Sequence, residues 1–345
     1  SALAALTNLQ SIGLGHTVMG DDSATALSLA LTTLTNLQSI DFCQTSLGPQ
    51  GAAALSSALT VMTKLRSIDV SNNVFMGDAG VTALSSALVA LTNLRSIYYG
   101  KNQIGDVGLA ALLPALAHIT TLRHLFLDEN DLEGVGGTVL SLGLTALTNL
   151  KSIDISNNDL GPEGVTALSS ALAALTNLQS IGLGHTVMGD DSATALSLAL
   201  TTLTNLQSID FCQTSLGPQG AAALSSALTV MTKLRSIDVS NNVFMGDAGV
   251  TALSSALVAL TNLRSIYYGK NQIGDVGLAA LLPALAHITT LRHLFLDEND
   301  LEGVGGTVLS LGLTALTNLK SIDISNNDLG PEGVTALSSA LAALT

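Results

Sequence analysis

The sequence predicts a protein of the α/β fold class, built from about 12 repeated strand–helix units. Three observations support this prediction. When Ser1 is placed on Ser170, the sequence aligns with itself without a mismatch, and Thr176 then falls on Thr345. A shorter period divides each copy into six units, which in the first copy begin at Leu6, Leu34, Met62, Leu91, Ile119 and Leu147. Every unit contains an alternating apolar segment followed by apolar residues at helical spacing.

The long repeat sets the expected domain organisation. Residues 1–169 and 170–338 are identical copies, and residues 339–345 repeat the start of the sequence. We therefore expect one repeat array over residues 1–345, in which a third copy begins at residue 339. Neither end carries a polar capping unit of the kind that closes repeat arrays, so we expect either flanking native sequence or stacking of one chain on another.

The first half of each unit predicts a short β-strand. It reads L-x-x-L-x-x-I-x-L, with any aliphatic residue at the last position, as in "LTNLKSIDI" over residues 147–155. The alternation of Ile153 and Ile155 with polar residues is typical of a strand that buries one face.

The second half of each unit predicts an amphipathic helix. In "GPEGVTALSSALAAL", the residues Val165, Leu168 and Leu172 recur at intervals of three and four. Pro162 suits the first helical turn, where its missing N–H costs nothing. Pro114 lies deeper in the segment "ALLPALAHI" and predicts a shortened or kinked helix there.

The complete unit resembles the leucine-rich repeat of the ribonuclease-inhibitor-like class. It matches L-x-x-L-x-x-L-x-L-x-x-N-x-L, with Ile often in place of Leu, followed by G-x-x-G and a helix. The resemblance implies a leucine-rich repeat solenoid that is curved, with a parallel sheet on its concave face and helices on its convex face.

The resemblance also implies a ladder of buried asparagines along the array. Its members are Asn73, Asn102, Asn130, Asn158, Asn242, Asn271, Asn299 and Asn327. In two units of each copy the same position holds threonine, at Thr17, Thr45, Thr186 and Thr214. Because a hydroxyl satisfies fewer backbone groups than an amide, we expect a weaker ladder in those units.

Composition and charge argue against several classes of protein. The chain is 47% apolar and 11% charged, with a formal net charge of −14, which is typical of a folded chain rather than a disordered one. No uninterrupted apolar run of about 18 residues occurs, so we expect no membrane span. The 12 Lys and Arg residues are scattered singly along the sequence, which argues against a basic stripe and against a nucleic-acid partner.

An aromatic pair is the candidate binding site. Tyr98 and Phe126 occupy the position after the buried aliphatic residue in adjacent units, so they are expected to stand side by side, facing outward, with Lys101 nearby and Asp69 and Asp154 on the flanks. The predicted concave aromatic island comprises Tyr98, Phe126, Arg95, Arg123 and His124, and in the second copy Tyr267, Phe295, Arg264, Arg292 and His293. An exposed aromatic pair surrounded by charge resembles a binding hot spot. The alternative is a cross-strand pair that stabilises the sheet and binds nothing.

No catalytic site is predicted. The position before the buried aliphatic residue is serine in five of the six units and His124 in the sixth. Ser96 and Ser152 are therefore lateral neighbours of His124, but no nucleophile-elbow motif surrounds either serine. We interpret these serines as small polar residues that let the strands pack, and we expect neither an enzyme nor a cofactor.

The acidic and metal-ligating residues predict no metal site. The segment "DENDLE" over residues 128–133 lacks EF-hand spacing, so a solvated loop is the main interpretation and weak calcium binding the alternative. The histidines show no metal-ligand spacing with Cys43, which is expected to be a free thiol near the end of its strand. Asp21 and Asp22 lie near a predicted helix start, where acidic side chains favour the helix dipole.

The unbroken identity of the two copies decides between functions. It favours a non-enzymatic structural repeat protein, a segment of a longer periodic chain or of a fibre or scaffold that self-associates end to end or laterally. One alternative is an engineered duplicate of a six-unit block. Another is a protein-binding module that grips a protein partner on the concave face, which is the usual function that the resemblance implies.

Overall fold

The computed structural model describes residues 3–342, without the side chain of Ser339. It divides into two compact units, the first ending at Leu178 and the second beginning at Gln179. The end of the predicted third copy, residues 343–345, lies outside the described residues. The organisation of the whole chain as one array stays a prediction, and each unit is described by itself.

The first unit consists of six strand–helix repeats after a short 3-10 turn at Leu3–Ala5. Its strands are β1 (Ser11–Gly13), β2 (Ser39–Asp41), β3 (Ser67–Asp69), β4 (Ser96–Tyr98), β5 (His124–Phe126) and β6 (Ser152–Asp154). Its helices are α1 (Gly20–Leu31), α2 (Pro49–Leu59), α3 (Gly77–Leu88), α4 (Asp106–Leu116), α5 (Gly134–Leu144) and α6 (Gly161–Leu172).

The second unit repeats this order of elements. Its strands are β7 (Ser180–Gly182), β8 (Ser208–Asp210), β9 (Ser236–Asp238), β10 (Ser265–Tyr267), β11 (His293–Phe295) and β12 (Ser321–Asp323). Its helices are α7 (Gly189–Leu200), α8 (Pro218–Leu228), α9 (Gly246–Leu257), α10 (Asp275–Leu285), α11 (Gly303–Leu313) and α12 (Gly330–Leu341).

Within each unit the strands pair in chain order and in parallel, so that equivalent positions of successive repeats face each other. Ile40 pairs with Ile68, and Ile68 pairs with Ile97. The middle residue of these strands is buried while its two neighbours are half-buried. The predicted α/β solenoid is therefore confirmed in each unit: a parallel sheet forms one face, the strand face, and the helices form the other, the helix face.

The core lies between the strands and the helices. In the repeat that contains α6, Ile153 and Ile155 come from the strand side, and Val165, Leu168 and Leu172 come from the helix, and all five are at most 1% exposed. At about 1.5–3 kcal/mol for each fully buried aliphatic side chain, this layer supplies much of the stabilisation of the repeat. The apolar residues of the strand pattern and those of the helix pattern therefore pack together in one buried layer.

The prolines take two different places in the helices. Pro49 and Pro162 lie in the first turn of α2 and α6, as predicted. Of the two expectations for Pro114, the shortened helix is wrong, and the kink stays a prediction. Helix α4 runs past Pro114 to Leu116 and is as long as α2 and α5. Because Pro114 lies in the last turn, the hydrogen bond that it removes is one at the very end of the helix.

The asparagine ladder joins each repeat to its neighbours. The Asn73 amide donates to the Phe42 carbonyl of the preceding repeat at 2.9 Å and to the Val70 carbonyl of its own repeat at 2.9 Å. Its Oδ1 accepts the N–H groups of Thr45 at 3.0 Å and Leu47 at 2.9 Å. Buried loop groups are satisfied in this way without a sheet partner.

Threonine weakens the ladder in the way that its chemistry predicts. The Thr45 hydroxyl donates to the Phe42 carbonyl at 2.9 Å, within its own repeat. It has no second donor to reach the repeat before it, whereas an asparagine amide has two N–H donors and an acceptor.

Acidic residues at the helix starts form a second set of contacts across repeats. Asp21, in the first turn of α1, accepts the N–H of Gly48 at 2.7 Å, and Gly48 is the N-cap residue of α2. The sequence predicted a contribution of Asp21 to its own helix dipole. The structure shows that its carboxylate caps the next helix, where the first N–H groups have no intrahelical acceptor.

Among residues 3–342, no helix has the length and apolarity needed to cross a membrane.

Candidate protein-binding face

The aromatic pair lies on the strand face of the first unit. Tyr98 and Phe126 are register partners at the carboxyl ends of β4 and β5. Their rings stack with centroids 4.8 Å apart and planes inclined by 4°. Both side chains are half-buried. The structure therefore places the two rings side by side, as predicted, and a pair of this kind presents a flat apolar surface of low conformational entropy.

The residues that flank the stack are acidic on both sides. Asp69 is the register partner of Tyr98, and Asp154 is the register partner of Phe126. The row of outward side chains at the carboxyl ends of the strands thus reads acid, ring, ring, acid, as the repeat spacing predicted.

A groove of about 280 Å³ opens beside the stack. It is lined by Cys43, Ser71, Asn72, Tyr98, Gly100, Lys101, Phe126 and Asp128. A Cβ at Gly100 would lie 2.7 Å from Asp128 Oδ1, so any larger residue there would require the Asp128 side chain to move. Cys43 is a free, half-buried thiol just after β2, in the place that the sequence predicted.

The charged residues that line this groove are Lys101 and Asp128. Lys101 Nζ lies 2.9 Å from Glu129 Oε2, and Glu129 raises the pKa of the Lys101 ammonium. Partial burial, and then the negative charge of Asp154, raise the pKa of Asp128 above its usual value. The groove is therefore lined by the two aromatic rings and by polar and charged side chains, a combination that protein interfaces use around an anchor residue.

The second unit repeats the same geometry. The rings of Tyr267 and Phe295 stack at 4.6 Å and 5°, and the groove beside them has a volume of about 210 Å³. Lys270 pairs with Glu298 at 3.2 Å.

The structure overturns the expectation that the basic residues are scattered. Arg66, Arg95, Arg123 and Lys151 each come directly before a strand, and backbone hydrogen bonds of 2.7–2.8 Å join each of them to the next. We call these four residues the basic row. Residues that are one repeat apart in the sequence become lateral neighbours in the sheet, at a strand spacing of about 4.8 Å.

The predicted aromatic island is therefore divided between two places. Arg95 and Arg123 line a different groove from the stack, a polar one of about 290 Å³, together with Lys151, Thr120, Thr121, Asn149 and Asn177. His124 lies between these arginines and the stack along its strand. Partial burial, and then the charges of Lys151 and Arg123, lower the pKa of His124. The equivalent residues of the second copy, Arg264, Arg292 and His293, hold the same positions before and in β10 and β11.

No ion pair neutralises the basic row within the described part of the chain, where the ion pairs are Lys101–Glu129 and Lys270–Glu298. Every acidic residue of the first copy follows its strand, at the last strand position, in the next loop or in the first helical turn. Because all strands point the same way, the acidic residues of the first copy lie at the carboxyl edge of the sheet, where Lys101 is the cation that joins them, and the basic row lies at the amino edge.

The serine and histidine positions show no constellation for nucleophilic catalysis in the described ranges. Ser96, His124 and Ser152 are lateral partners on β4, β5 and β6, and none of the hydrogen bonds between residues 3 and 342 joins these side chains. His185 Nε2 lies 4.0 Å from Cys212 Sγ. No group of three or more His, Cys, Asp and Glu that could hold a metal ion occurs between residues 3 and 342.

Comparison with known proteins agrees with this geometry. The family model described as "Leucine Rich repeat" matches six segments, residues 61–85, 90–113, 146–169, 230–254, 259–282 and 315–338. A crystal structure of an internalin (InlF) from Listeria monocytogenes strain 4b F2365 aligns with a TM-score of 0.57 and 22% sequence identity, over 86% of this chain and 70% of that chain. Comparison with curated proteins gives no match.

The repeated strand–helix fold and the six matched segments make the chain similar to leucine-rich repeat proteins. Proteins of this kind are generally non-enzymatic scaffolds, and they typically bind other proteins.

Proposed function

We propose that the chain is a protein-binding leucine-rich repeat protein of the ribonuclease-inhibitor-like class, which holds its partner on the strand face. The stacked pair Tyr98–Phe126 carries this proposal, together with its copy Tyr267–Phe295. The class is supported by the repeat period and by the α-helix that follows every strand in the range 11–341.

The aromatic stack supports binding because of its surroundings. Tyrosine is among the residues that contribute most to protein interfaces, and the best anchors lie beside a pocket with a polar rim. Here the rings line a groove together with the half-buried Asp128 and with Lys101, which is paired with Glu129. A pair that stabilised the sheet alone would need no groove beside it.

The proposal is tested by selecting peptides against the full chain from a displayed library and measuring their affinity for two variants. The aromatic variant carries Tyr98→Ala, Phe126→Ala, Tyr267→Ala and Phe295→Ala. The control variant truncates exposed apolar side chains on the helix face, with Val107→Ala, Leu142→Ala, Val276→Ala and Leu311→Ala. Both variants are compared with the parent by circular dichroism before binding is measured.

We expect the selected peptides to lose about tenfold or more in affinity for the aromatic variant, since hot-spot truncations commonly cost about 1–2 kcal/mol or more. The control variant should bind as the parent does. Equal affinity for the parent and the aromatic variant, or a loss confined to the control, would overturn the proposal. If the aromatic variant fails to fold, Phe126→Ala with Phe295→Ala removes one ring of each stack and tests the same point.

End-to-end or lateral assembly into a fibre or scaffold stays a prediction. Electron microscopy of the purified chain over a range of concentrations separates it from the binding function. Continuous filaments would support assembly, and discrete particles at every concentration would contradict it.

A further inference from the structure

We propose that the basic row binds an acidic α-helix of a partner protein, laid across the strands of the sheet. This inference deepens the proposed function, on which it rests, because the basic row lies at the amino ends of the strands whose carboxyl ends carry the aromatic stack. It names the chemistry of the partner segment: a helix with carboxylates repeated at every third or fourth position.

The charge of the row is available for a partner. Arg66, Arg95 and Arg123 are exposed and Lys151 is half-buried, and no ion pair within the range 3–342 involves them. The whole chain has a net charge of −14, yet each copy keeps four cations adjacent and without an ion pair within residues 3–342, which concentrates positive potential along one row per copy. Three of these cations converge on one polar groove, where the Asn149 amide donates to the Thr120 carbonyl at 2.8 Å.

The spacing of the row selects the form of the partner. Neighbouring strands lie about 4.8 Å apart, so the four cations extend over about 14 Å. Side chains three or four positions apart on a helix are about 5–6 Å from each other. Alternate side chains of an extended segment are about 6.6 Å apart, so their spacing exceeds the strand spacing of about 4.8 Å by about 1.8 Å at every step. A helix therefore matches the row better than an extended peptide does.

The next row of the face leaves room for such a helix. The positions that follow the basic residues hold Ser67, Ser96, His124 and Ser152, three of which are small. A helix above the basic row would meet short polar side chains on the flank that faces the strands, and the stacked rings lie beyond them on that same flank.

The chemistry of the face argues against a nucleic acid as the occupant. The positive strip is one residue wide, and the opposite edge of the same face carries the carboxylates of Asp69, Asp128 and Asp154. On the side of β2 and β1 the row continues as uncharged Gln38 and Gln10. A phosphate backbone would need a wider or longer positive surface.

The test uses two synthetic Ala-based helical peptides of about 14 residues, long enough to span the row at about 1.5 Å per residue. One carries Glu at every third or fourth position along one face, and the other carries Gln there. Binding to the full chain is measured by calorimetry at about 0.05 M and about 0.5 M salt, where the Debye length falls from about 14 Å to about 4 Å. A single-stranded oligonucleotide is measured in parallel.

Two matched variants assign the binding to the row. The row variant carries Arg123→Gln with Arg292→Gln, and the control variant carries Lys101→Gln with Lys270→Gln. Both lose two positive charges, so they have the same net charge, but Lys101 and Lys270 lie at the opposite edge and are paired with Glu129 and Glu298. If the row variant fails to fold, Arg95→Gln with Arg264→Gln takes its place.

At low salt we expect the parent chain to bind the Glu peptide about tenfold or more tightly than the Gln peptide. The affinity of the row variant for the Glu peptide should be about threefold or more lower than that of the control variant. Equal binding of the two peptides, equal loss in both variants, or tighter binding of the oligonucleotide would overturn the inference. The aromatic variant separates the two proposals. If it keeps the Glu peptide and loses the library-selected peptides, both proposals stand. If the Glu peptide fails and the selected peptides still depend on the rings, this inference alone is lost.

Discussion

The carboxylate of Asp78 accepts a hydrogen bond of 2.7 Å from the backbone N–H of Gly105, across the boundary between two repeats. The same oxygen accepts the Gly108 N–H at 3.0 Å, and Asp247 forms the equivalent bonds to Gly274 and Gly277. A side chain at the start of one helix thus caps the next helix. Successive helices are joined by charge-assisted hydrogen bonds as well as by apolar packing.

Removing this cap should destabilise the chain. We expect Asp78→Ala with Asp247→Ala to lower the free energy of unfolding by about 1–2 kcal/mol per site, because the N–H groups that the carboxylate satisfied lose their acceptor. Urea unfolding followed by circular dichroism measures the change. The matched control is Asp22→Ala with Asp191→Ala, which removes exposed acids from the first turns of α1 and α7. A control as destabilised as the cap variant would contradict the cap.

Asn130 should be more sensitive than any exposed position. Its amide donates to the carbonyls of Tyr99 and Leu127 at 3.0 and 2.9 Å, and its Oδ1 accepts the N–H groups of Asn102 and Ile104 at 3.1 and 3.0 Å. Since each buried group left unsatisfied costs about 1–3 kcal/mol, Asn130→Ala should lower the free energy of unfolding by about 3–5 kcal/mol.

Asn130→Thr provides the graded comparison for the ladder. Threonine keeps one donor and one acceptor, as Thr45 does at the equivalent position. We therefore expect the free energy of unfolding of Asn130→Thr to lie between that of the parent and that of Asn130→Ala. Unfolding by urea gives all three values on one scale. A threonine variant that is as destabilised as the alanine variant would contradict this grading.

The Tyr99 hydroxyl is an isolated polar group in the core. Tyr99 is 0% exposed, and its oxygen has no hydrogen-bond partner in the described part of the chain. Burial raises the pKa of this phenol well above its usual value, which reflects the cost of placing charge there. We expect Tyr99→Phe to raise the free energy of unfolding by about 1 kcal/mol, because the ring stays and an unsatisfied group is removed.

Tyr98→Phe is the control for this change, because it removes a hydroxyl from the half-buried neighbouring ring on the strand face. Its effect should lie within about 0.5 kcal/mol of zero. Destabilisation by Tyr99→Phe, measured in the same urea titration, would reveal a partner for the buried hydroxyl.

Asp128 should make stability depend on pH in a defined direction. Partial burial and the charge of Asp154 raise its folded-state pKa above the ordinary value of 3.8. Ionisation of Asp128 therefore disfavours the folded state. Its contribution to the free energy of unfolding is most favourable below the ordinary pKa and is lost as the pH rises through the higher folded-state pKa. Asp128→Asn should be more stable than the parent at neutral pH.

The difference between Asp128→Asn and the parent should shrink as the pH falls below 3.8, where both side chains are neutral. Thermal unfolding from pH 3 to pH 7 measures it. Asp159→Asn, at an exposed loop position, is the control and should show no such trend. A variant that is less stable than the parent at neutral pH would contradict the direction of the shift.

The fold and the aromatic pair could be predicted from sequence for one reason. Once the short repeat period assigns Ile97 and Leu125 to equivalent places, the residues that follow them must face the same side of the sheet. Tyr98 and Phe126 then become neighbours without any further information. Register in a parallel array follows directly from repeat length.

The basic row and the caps across repeats escaped prediction because they depend on distances between repeats. Arg95 and Arg123 look isolated when the sequence is read along the chain, and they are adjacent when it is read across the strands. Aligning the six repeats position by position would have shown the row. Asp78 is different, because its sequence position indicates a helix start without indicating which helix it caps.

The threonines of the ladder have a consequence for the dynamics of each copy. The Asn73 amide reaches back to the Phe42 carbonyl of the repeat before it, whereas the Thr45 hydroxyl, among residues 3–342, forms no hydrogen bond to the repeat before its own. A repeat array unfolds through nearest-neighbour couplings, so the boundary between the repeats of β1 and β2, and likewise between those of β7 and β8, is the weak coupling in its unit. Hydrogen exchange should therefore begin with these repeats as separate foldons, while the asparagine-joined repeats open together and later.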